Sequence, residues 1–272
     1  MSKLTNDEAF VDFSDYGRPI AKWIARKLRH TATTPIHVTY AFVVSGILAI
    51  ACMLHEQFLA AGFFLILKSI LDAADGELSR VKNTPSYTGR YLDSIFDFLL
   101  NLAFVVTICF MANASVWLTL AAFVGIQLQG TLYNYYYVIL RNQIAGSDQT
   151  SRVFETRAPI ALPGESQMHV DLLFRIFHGL YGGFDRLIYL IDTGAVKVKR
   201  LPGWFMTAVS IYGLGFQLLL LAVLLTLHLT NWILPFFVFY SLLIFVFVGV
   251  RKSFIKIHKP DETFPLLSIG DV

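Results

Sequence analysis

Six apolar segments dominate this chain, at about 38–54, 57–71, 91–112, 116–140, 204–228 and 232–250. Each reaches or approaches the ~20 residues that a bilayer-crossing helix needs. Lipid offers no partners to the backbone, so segments of this kind must be helical. The basic residues are sorted around them. All 22 Lys and Arg lie before residue 38, within 68–90, within 141–200 or after 250. The alternate connections carry only His55, Glu56 and His228 as titratable groups. This distribution predicts an all-α, multi-pass integral membrane protein with six transmembrane helices, both termini on the cytoplasmic side. Only 15% of the residues are charged, against about 25% in soluble domains, and the mean hydropathy is +0.59. A single membrane domain, 1–272, is expected. It comprises an N-terminal cytoplasmic or interfacial segment (1–37), the bundle (38–253) and a cytoplasmic connection (141–203).

Several classes are set aside. A net charge of +3, without a basic run interleaved with aromatics, does not suggest a nucleic-acid partner. Cys52 and Cys109 both sit in apolar segments and imply no disulfide framework. The start carries Asp7, Glu8, Asp12 and Asp15 and no apolar run before Ile20, unlike a secretory signal peptide. Residues 17–30 read as an amphipathic helix lying on the membrane. Ile20, Trp23, Ile24 and Leu28 form its apolar stripe, and its basic residues are placed to meet anionic headgroups.

The second and third segments are joined by a dense acidic pattern. Asp72, Asp75, Gly76, Ser79 and Arg80 share one helical face, and Gly89, Asp93 and Asp97 share another. Two facing helices would bring four carboxylates, an arginine and two glycines into one small volume. Carboxylates so placed repel one another or take up protons unless a cation lies between them. Oxygen ligands without Cys or His suit Mg2+, Mn2+ or Ca2+ rather than zinc. Such an ion, with open positions, usually holds phosphate, and Gly76 and Gly89 let a ligand approach the backbone.

The spacing D-x2-D-G-x2-S-R-x8-G-x3-D-x3-D resembles the signature of the CDP-alcohol phosphotransferase (phosphatidyltransferase) family. Every gap agrees, and the one departure is Ser79, where the signature has alanine. Thr34-Pro35-Ile36-His37-Val38-Thr39 is similar to the family's P-N-x-V/I-T start of its first span, with Ile36 in place of asparagine. The resemblance implies an enzyme of phospholipid synthesis that breaks the pyrophosphate of a CDP-linked donor and releases CMP. It implies Asp72, Asp75, Asp93 and Asp97 as ligands of Mg2+ or Mn2+, with Asp93 and Asp97 catalytic and Asp97 a candidate general base. Gly76, Ser79, Arg80, Gly89 and Asp72 would contact the nucleotide. A homodimer is also implied.

Other residues extend this pattern. Lys68 precedes Asp72 by one turn and reads either as a lysine snorkelling to the interface or as a cation lining the pocket below the metal site. Asn101 continues the stripe of Asp97, and both it and Lys68 are candidate acceptor-pocket residues. In the fourth segment Gln127, Gly130, Asn134, Tyr137 and Arg141 form a polar stripe expected to face the interior. Asn134, Tyr137 and Arg141 are candidate acceptor contacts. The tyrosines at 133 and 135–137 read as an interfacial belt or as a cage for a quaternary amine. Within the long connection, Leu172, Leu173, Ile176, Leu180, Phe184, Leu187, Ile188 and Ile191 fit one helical side, with Gly182-Gly183 a candidate break. Arg152 and Arg157 are candidate phosphate contacts or solvated loop residues.

CDP-diacylglycerol is the preferred donor, with a water-soluble alcohol as acceptor. The alternative is a soluble CDP-alcohol donor with diacylglycerol as acceptor. An ion transporter, or a catalytically silent membrane partner, are readings of another class.

Overall fold

The computed structural model describes residues 10–143, 155–198 and 200–255. Among them the regular elements are helical. They are α1 (Arg18–Leu28), α2 (Pro35–Leu54), α3 (Phe58–Lys82), α4 (Tyr87–Met111), α5 (Val116–Gln143), α6 (Gln167–Ile191), α7 (Gly203–Val209), α8 (Leu214–Thr226), α9 (Thr230–Tyr240) and α10 (Leu243–Phe254). Short 3-10 turns add Phe13–Asp15, Ala195–Lys197 and Ser210–Tyr212.

Local chemistry sets the boundaries that matter for the site. Thr34 caps α2: its hydroxyl accepts from His37 N, and the Thr34 amide donates to His37 Nδ1 at 3.0 Å. Pro35 follows in the first turn, where its missing N–H leaves no gap. Helix α3 stops at Asn83, which adopts the left-handed conformation (φ 51°) that asparagine tolerates. Ser86 then starts α4 by accepting from Gly89 N at 2.8 Å. The acidic faces of α3 and α4 are therefore joined by a tight turn.

Among the described residues, four helices are long and apolar enough to cross a membrane: α2, α4, α5 and the stretch Thr230–Phe254 that joins α9 to α10. A fifth candidate is Gly203–Tyr212 with Leu214–Thr226, bent by 49°. This is compatible with an integral membrane protein. The sixth expected span is α3, whose apolar run is interrupted by Lys68, Asp72 and Asp75. Residues such as Leu59, Phe63, Phe110, Trp117, Trp232 and Phe245 point outward.

Lipid is as apolar as leucine, so the helices cohere through close packing and internal hydrogen bonds. Gly46 admits Leu100, whose side chain lies 2.8 Å from where a β-carbon would stand. Ser45 donates to the Phe64 carbonyl at 2.8 Å, tying α2 to α3. Gln217 on α8 donates to Gln129 Oε1 on α5 (2.9 Å), and Gln129 donates onward to Ser241 Oγ (2.8 Å). The bend before α8 accommodates the N-terminal segment: a β-carbon on Gly215 would stand 2.0 Å from the Ser14 carbonyl oxygen.

The structure refines two expectations and corrects a third. Helix α1 forms, but Ala21 and Ala25 bury it against Ala74 and Leu78 of α3. Ile24 and Leu28 pack there in part, while Ile20 and Trp23 are exposed. In α6 the inward residues are Val170, Phe174 and Ile188, with Phe177 and Tyr181 beside them, whereas Leu172, Ile176 and Leu187 are exposed. Of the expected stripe, Ile188 is buried and Leu173, Leu180, Phe184 and Ile191 pack in part, alongside these aromatic rings. The Gly182-Gly183 pair makes no break, since α6 runs through it.

Candidate metal and nucleotide site

Helix α3 presents Asp72 and Asp75, and α4 presents Asp93. One carboxylate oxygen from each lies within 4.8 Å of the others. Thr39 on α2 orients the cluster, its hydroxyl donating to Asp75 Oδ2 at 2.7 Å. Asp93 Oδ1 is buried and has no hydrogen-bond partner. A buried anionic oxygen left without a donor is costly, and a cation among the three oxygens would satisfy it. The donor set is all carboxylate, so these residues fit a hard divalent ion.

The fourth signature carboxylate is engaged differently. Asp97 Oδ1 accepts from Lys68 Nζ, which also lies 3.3 Å from Asp72 Oδ2. The Lys68 side chain is 1% exposed, and Nζ stands 4.6 Å from the centre of the Phe42 ring. The four carboxylates thus divide into a group of three and a lysine-bound fourth.

Arg80 folds back over Gly76, its guanidinium 3.6 Å from where a β-carbon would stand. It donates to Glu77 at 2.9 Å, and Arg18 of α1 reaches the same carboxylate at 3.9 Å. Arg80 Nε is buried and has no hydrogen-bond partner. Ser79 is bound into the α3–α4 turn, its hydroxyl donating to the Thr84 carbonyl at 2.9 Å.

The candidate acceptor residues separate. Asn101 lines a small cavity with Phe104, Ile126, Gln217 and Phe237, deeper between α4, α5, α8 and α9. Asn134 is exposed, so the polar stripe of α5 does not face inward throughout. Tyr137 is buried, stacks on Tyr133 and meets Phe10 edge-on; the Arg141 guanidinium lies 5.9 Å from its ring. The tyrosine cluster is neither a belt nor a cage. Tyr133 donates to Asp12 (2.6 Å), Tyr135 to the Asp192 carbonyl (2.9 Å) and Tyr136 to Asp192 Oδ2 (2.8 Å). Arg157 is exposed, and Arg152 lies outside the described residues.

Two groups that wall the site were not singled out from the sequence. Tyr181 of α6 donates to the Ser94 carbonyl at 3.0 Å. Burial first, and then the charges of Asp97 and Asp93, hold its phenol well above the ordinary range. The segment ahead of α6 folds onto the start of α4. Glu155 accepts from Tyr91 Oη at 2.7 Å and from Arg90. Glu165 accepts from Ser86 Oγ (2.7 Å), Thr88 N (2.8 Å) and Tyr87 N (3.1 Å). Burial alone would raise the Glu165 pKa, but these donors together outweigh it and hold the carboxyl below its usual range. Asp185, one turn beyond Tyr181, is pushed up to about 7 by burial, with the Glu155 charge adding. The only sequence hint for these residues was the long polar stretch before an amphipathic one.

Carboxylates converge here from two adjacent helices, beside an arginine turned over a glycine, and the three of them could hold a metal ion. Residues 32–160 match the family described as CDP-alcohol phosphatidyltransferase, a family of phosphotransferase enzymes. That segment is just under half of the 272 residues, and over it the chain is similar to this family. The matched part contains α2 to α5 and the whole acidic signature; α1 and α6 to α10 lie outside it. No curated protein matches the chain.

Proposed function

We propose that the protein transfers a substituted phosphate from a CDP-linked donor, preferentially CDP-diacylglycerol, to the hydroxyl of a water-soluble alcohol. The observation that carries this reading is the convergence of Asp72, Asp75 and Asp93 within the family signature, with Asp93 Oδ1 left for a cation. In the reaction the acceptor oxygen bonds to the donor phosphorus that bears the diacylglycerol. The bond from that phosphorus to the bridging pyrophosphate oxygen breaks, and CMP departs with that oxygen. Phosphoryl-type transfer asks the protein mainly for positioning, charge neutralisation and removal of one proton.

Asp72, Asp75 and Asp93 would hold Mg2+ or Mn2+, which when bound neutralises the pyrophosphate and polarises the phosphorus. Arg80 supplies planar donors to phosphate oxygens, and Gly76 and Gly89 leave room for the nucleotide. Asp97 takes the acceptor proton. Lys68 engages its Oδ1, so the proton goes to Oδ2. Arg141 and Tyr137, toward the end of α5, serve the acceptor side. The sorting of basic residues supports six spans with the site on the cytoplasmic side, where CDP-activated substrates arise. The exposed Ile20 and Trp23 of α1, beside Lys22 and Lys27, support contact of that helix with the membrane surface. A homodimer rests on the resemblance.

The test is a donor and acceptor screen. Detergent-purified protein is given Mg2+ or Mn2+, CDP-diacylglycerol and a panel of alcohols, and lipid products and CMP are read by mass spectrometry. A phosphatidyl-alcohol formed together with CMP is expected. Product only from CDP-choline or CDP-ethanolamine with diacylglycerol would reverse the donor assignment, and no CMP from any pair would overturn the proposed function.

A further inference from the structure

Lys68 is an unusual residue to find beside a metal site. It sits on an otherwise apolar stretch of α3, one turn before Asp72, with a side chain 1% exposed. An ammonium buried to that degree is costly unless its charge is met at close range. It is met three times: by Asp97 Oδ1, by Asp72 Oδ2 at 3.3 Å and by the face of Phe42 at 4.6 Å.

The cluster has room for two cations by its acidity. Four carboxylates could bind two divalent ions sharing a bridging ligand, as in two-metal phosphoryl-transfer sites with ions about 3.5–4 Å apart. Here the carboxylates are already divided. Asp72, Asp75 and Asp93 converge, and Asp93 has a buried oxygen without a hydrogen-bond partner. Asp97 instead faces Lys68. Asp72 belongs to both groups: its carboxylate contributes to the triad, and its Oδ2 also lies 3.3 Å from the lysine. That is the place of a bridging ligand between two cations, and one of the two positions holds an ammonium.

We infer that Lys68 is a tethered cation filling the second cation position, between Asp72 and Asp97, so that the protein binds a single divalent ion. This deepens the proposed function and rests on its reading of the acidic triad. One divalent ion and the lysine leave the four carboxylates one negative charge in excess, which favours holding both cations. A second divalent ion would have to displace a side chain enclosed by α2, α3 and α4. Lys68 is then a positioning residue that fixes how many metal ions the site takes and which oxygen of Asp97 stays available.

The measurement is Mn2+ bound per chain, by equilibrium dialysis and electron paramagnetic resonance, on detergent-solubilised full-length protein. Wild type is expected to bind one Mn2+ with the signal of an isolated ion, and Asp93→Asn to lose it. Lys68→Met keeps the bulk and removes the charge, leaving Asp97 without its cation; it is expected to bind two Mn2+ with a spin-coupled signal. Wild type with two coupled Mn2+ ions would overturn the inference without any variant. So would Lys68→Met binding one ion at wild-type affinity. The count separates this idea from the reaction itself. One Mn2+ without CMP release from any donor would refute only the proposed function, and two Mn2+ with CMP release only the lysine's role. No Mn2+ in wild type would overturn both.

Discussion

Thr39 illustrates how a single hydroxyl can orient a candidate metal ligand. It stands on α2, outside the acidic signature, and its bond to Asp75 Oδ2 (2.7 Å) fixes the orientation of that carboxylate. Thr39→Val keeps the shape and removes the donor. A hydrogen bond to a charged group contributes about 1.5–3 kcal/mol, so Mn2+ should bind roughly ten- to a hundredfold more weakly, read by the dialysis experiment. Unchanged affinity would contradict this role. Residues of the signature were legible because fixed gaps on helices place side chains on known faces. Lys68 was legible as a turn-mate of Asp72, but not as the partner of Asp97, which lies 29 residues on. The tyrosines misled because composition shows an aromatic cluster, whereas their partners Asp12 and Asp192 are more than fifty residues away.

At the level of elements, the start of α4 is held by the connection folded over it. Glu165 caps it from 77 to 79 residues away, which no local pattern reveals. Its carboxyl lies below the ordinary glutamate range, so the cap is at full strength above the unfolded value, about 4.3. The stabilisation is lost as the pH falls through the lower folded value. Hydrogen-exchange protection factors at Tyr87 and Thr88, whose amides donate to Glu165, should therefore fall, relative to wild type at neutral pH, both on acidification and in Glu165→Ala. Protection at these two amides that is insensitive to the substitution would refute the cap. The apolar helices themselves were easily read, since their length and the distribution of Lys and Arg carry the signal. The inward face of α6 was read in part: Leu173, Leu180, Phe184, Ile188 and Ile191 pack inward, but Leu172, Ile176 and Leu187 are exposed and Phe174 and Tyr181 were not singled out.

Across the whole molecule, the later helices are tied through Asp192 to the part that matches the family model. It is fully buried and receives Tyr136 of α5 (2.8 Å) and Arg251 Nε of α10 (2.6 Å). Removing one member of a buried charge pair leaves the other uncompensated, at about 3–5 kcal/mol. Arg251→Met should accordingly lower the unfolding midpoint in detergent by several degrees, and an unchanged midpoint would contradict the tie. The sequence placed Arg251 only as a basic residue flanking the last span. Its burial depends on the end of α6 arriving beside α5 and α10, a tertiary arrangement beyond any local pattern.

The proposed reaction depends on a divalent ion acting at carboxylates shared by α3 and α4. The most direct test is CMP release from CDP-diacylglycerol and the acceptor found in the screen, measured with Mg2+ or Mn2+, with a chelator, and in Asp93→Asn. The account predicts release in the wild type that the chelator abolishes and added metal restores, with loss of at least a hundredfold in Asp93→Asn, about 2.7 kcal/mol or more of barrier. CMP release that ignores the chelator, or an Asp93→Asn protein turning over at the wild-type rate, would contradict it.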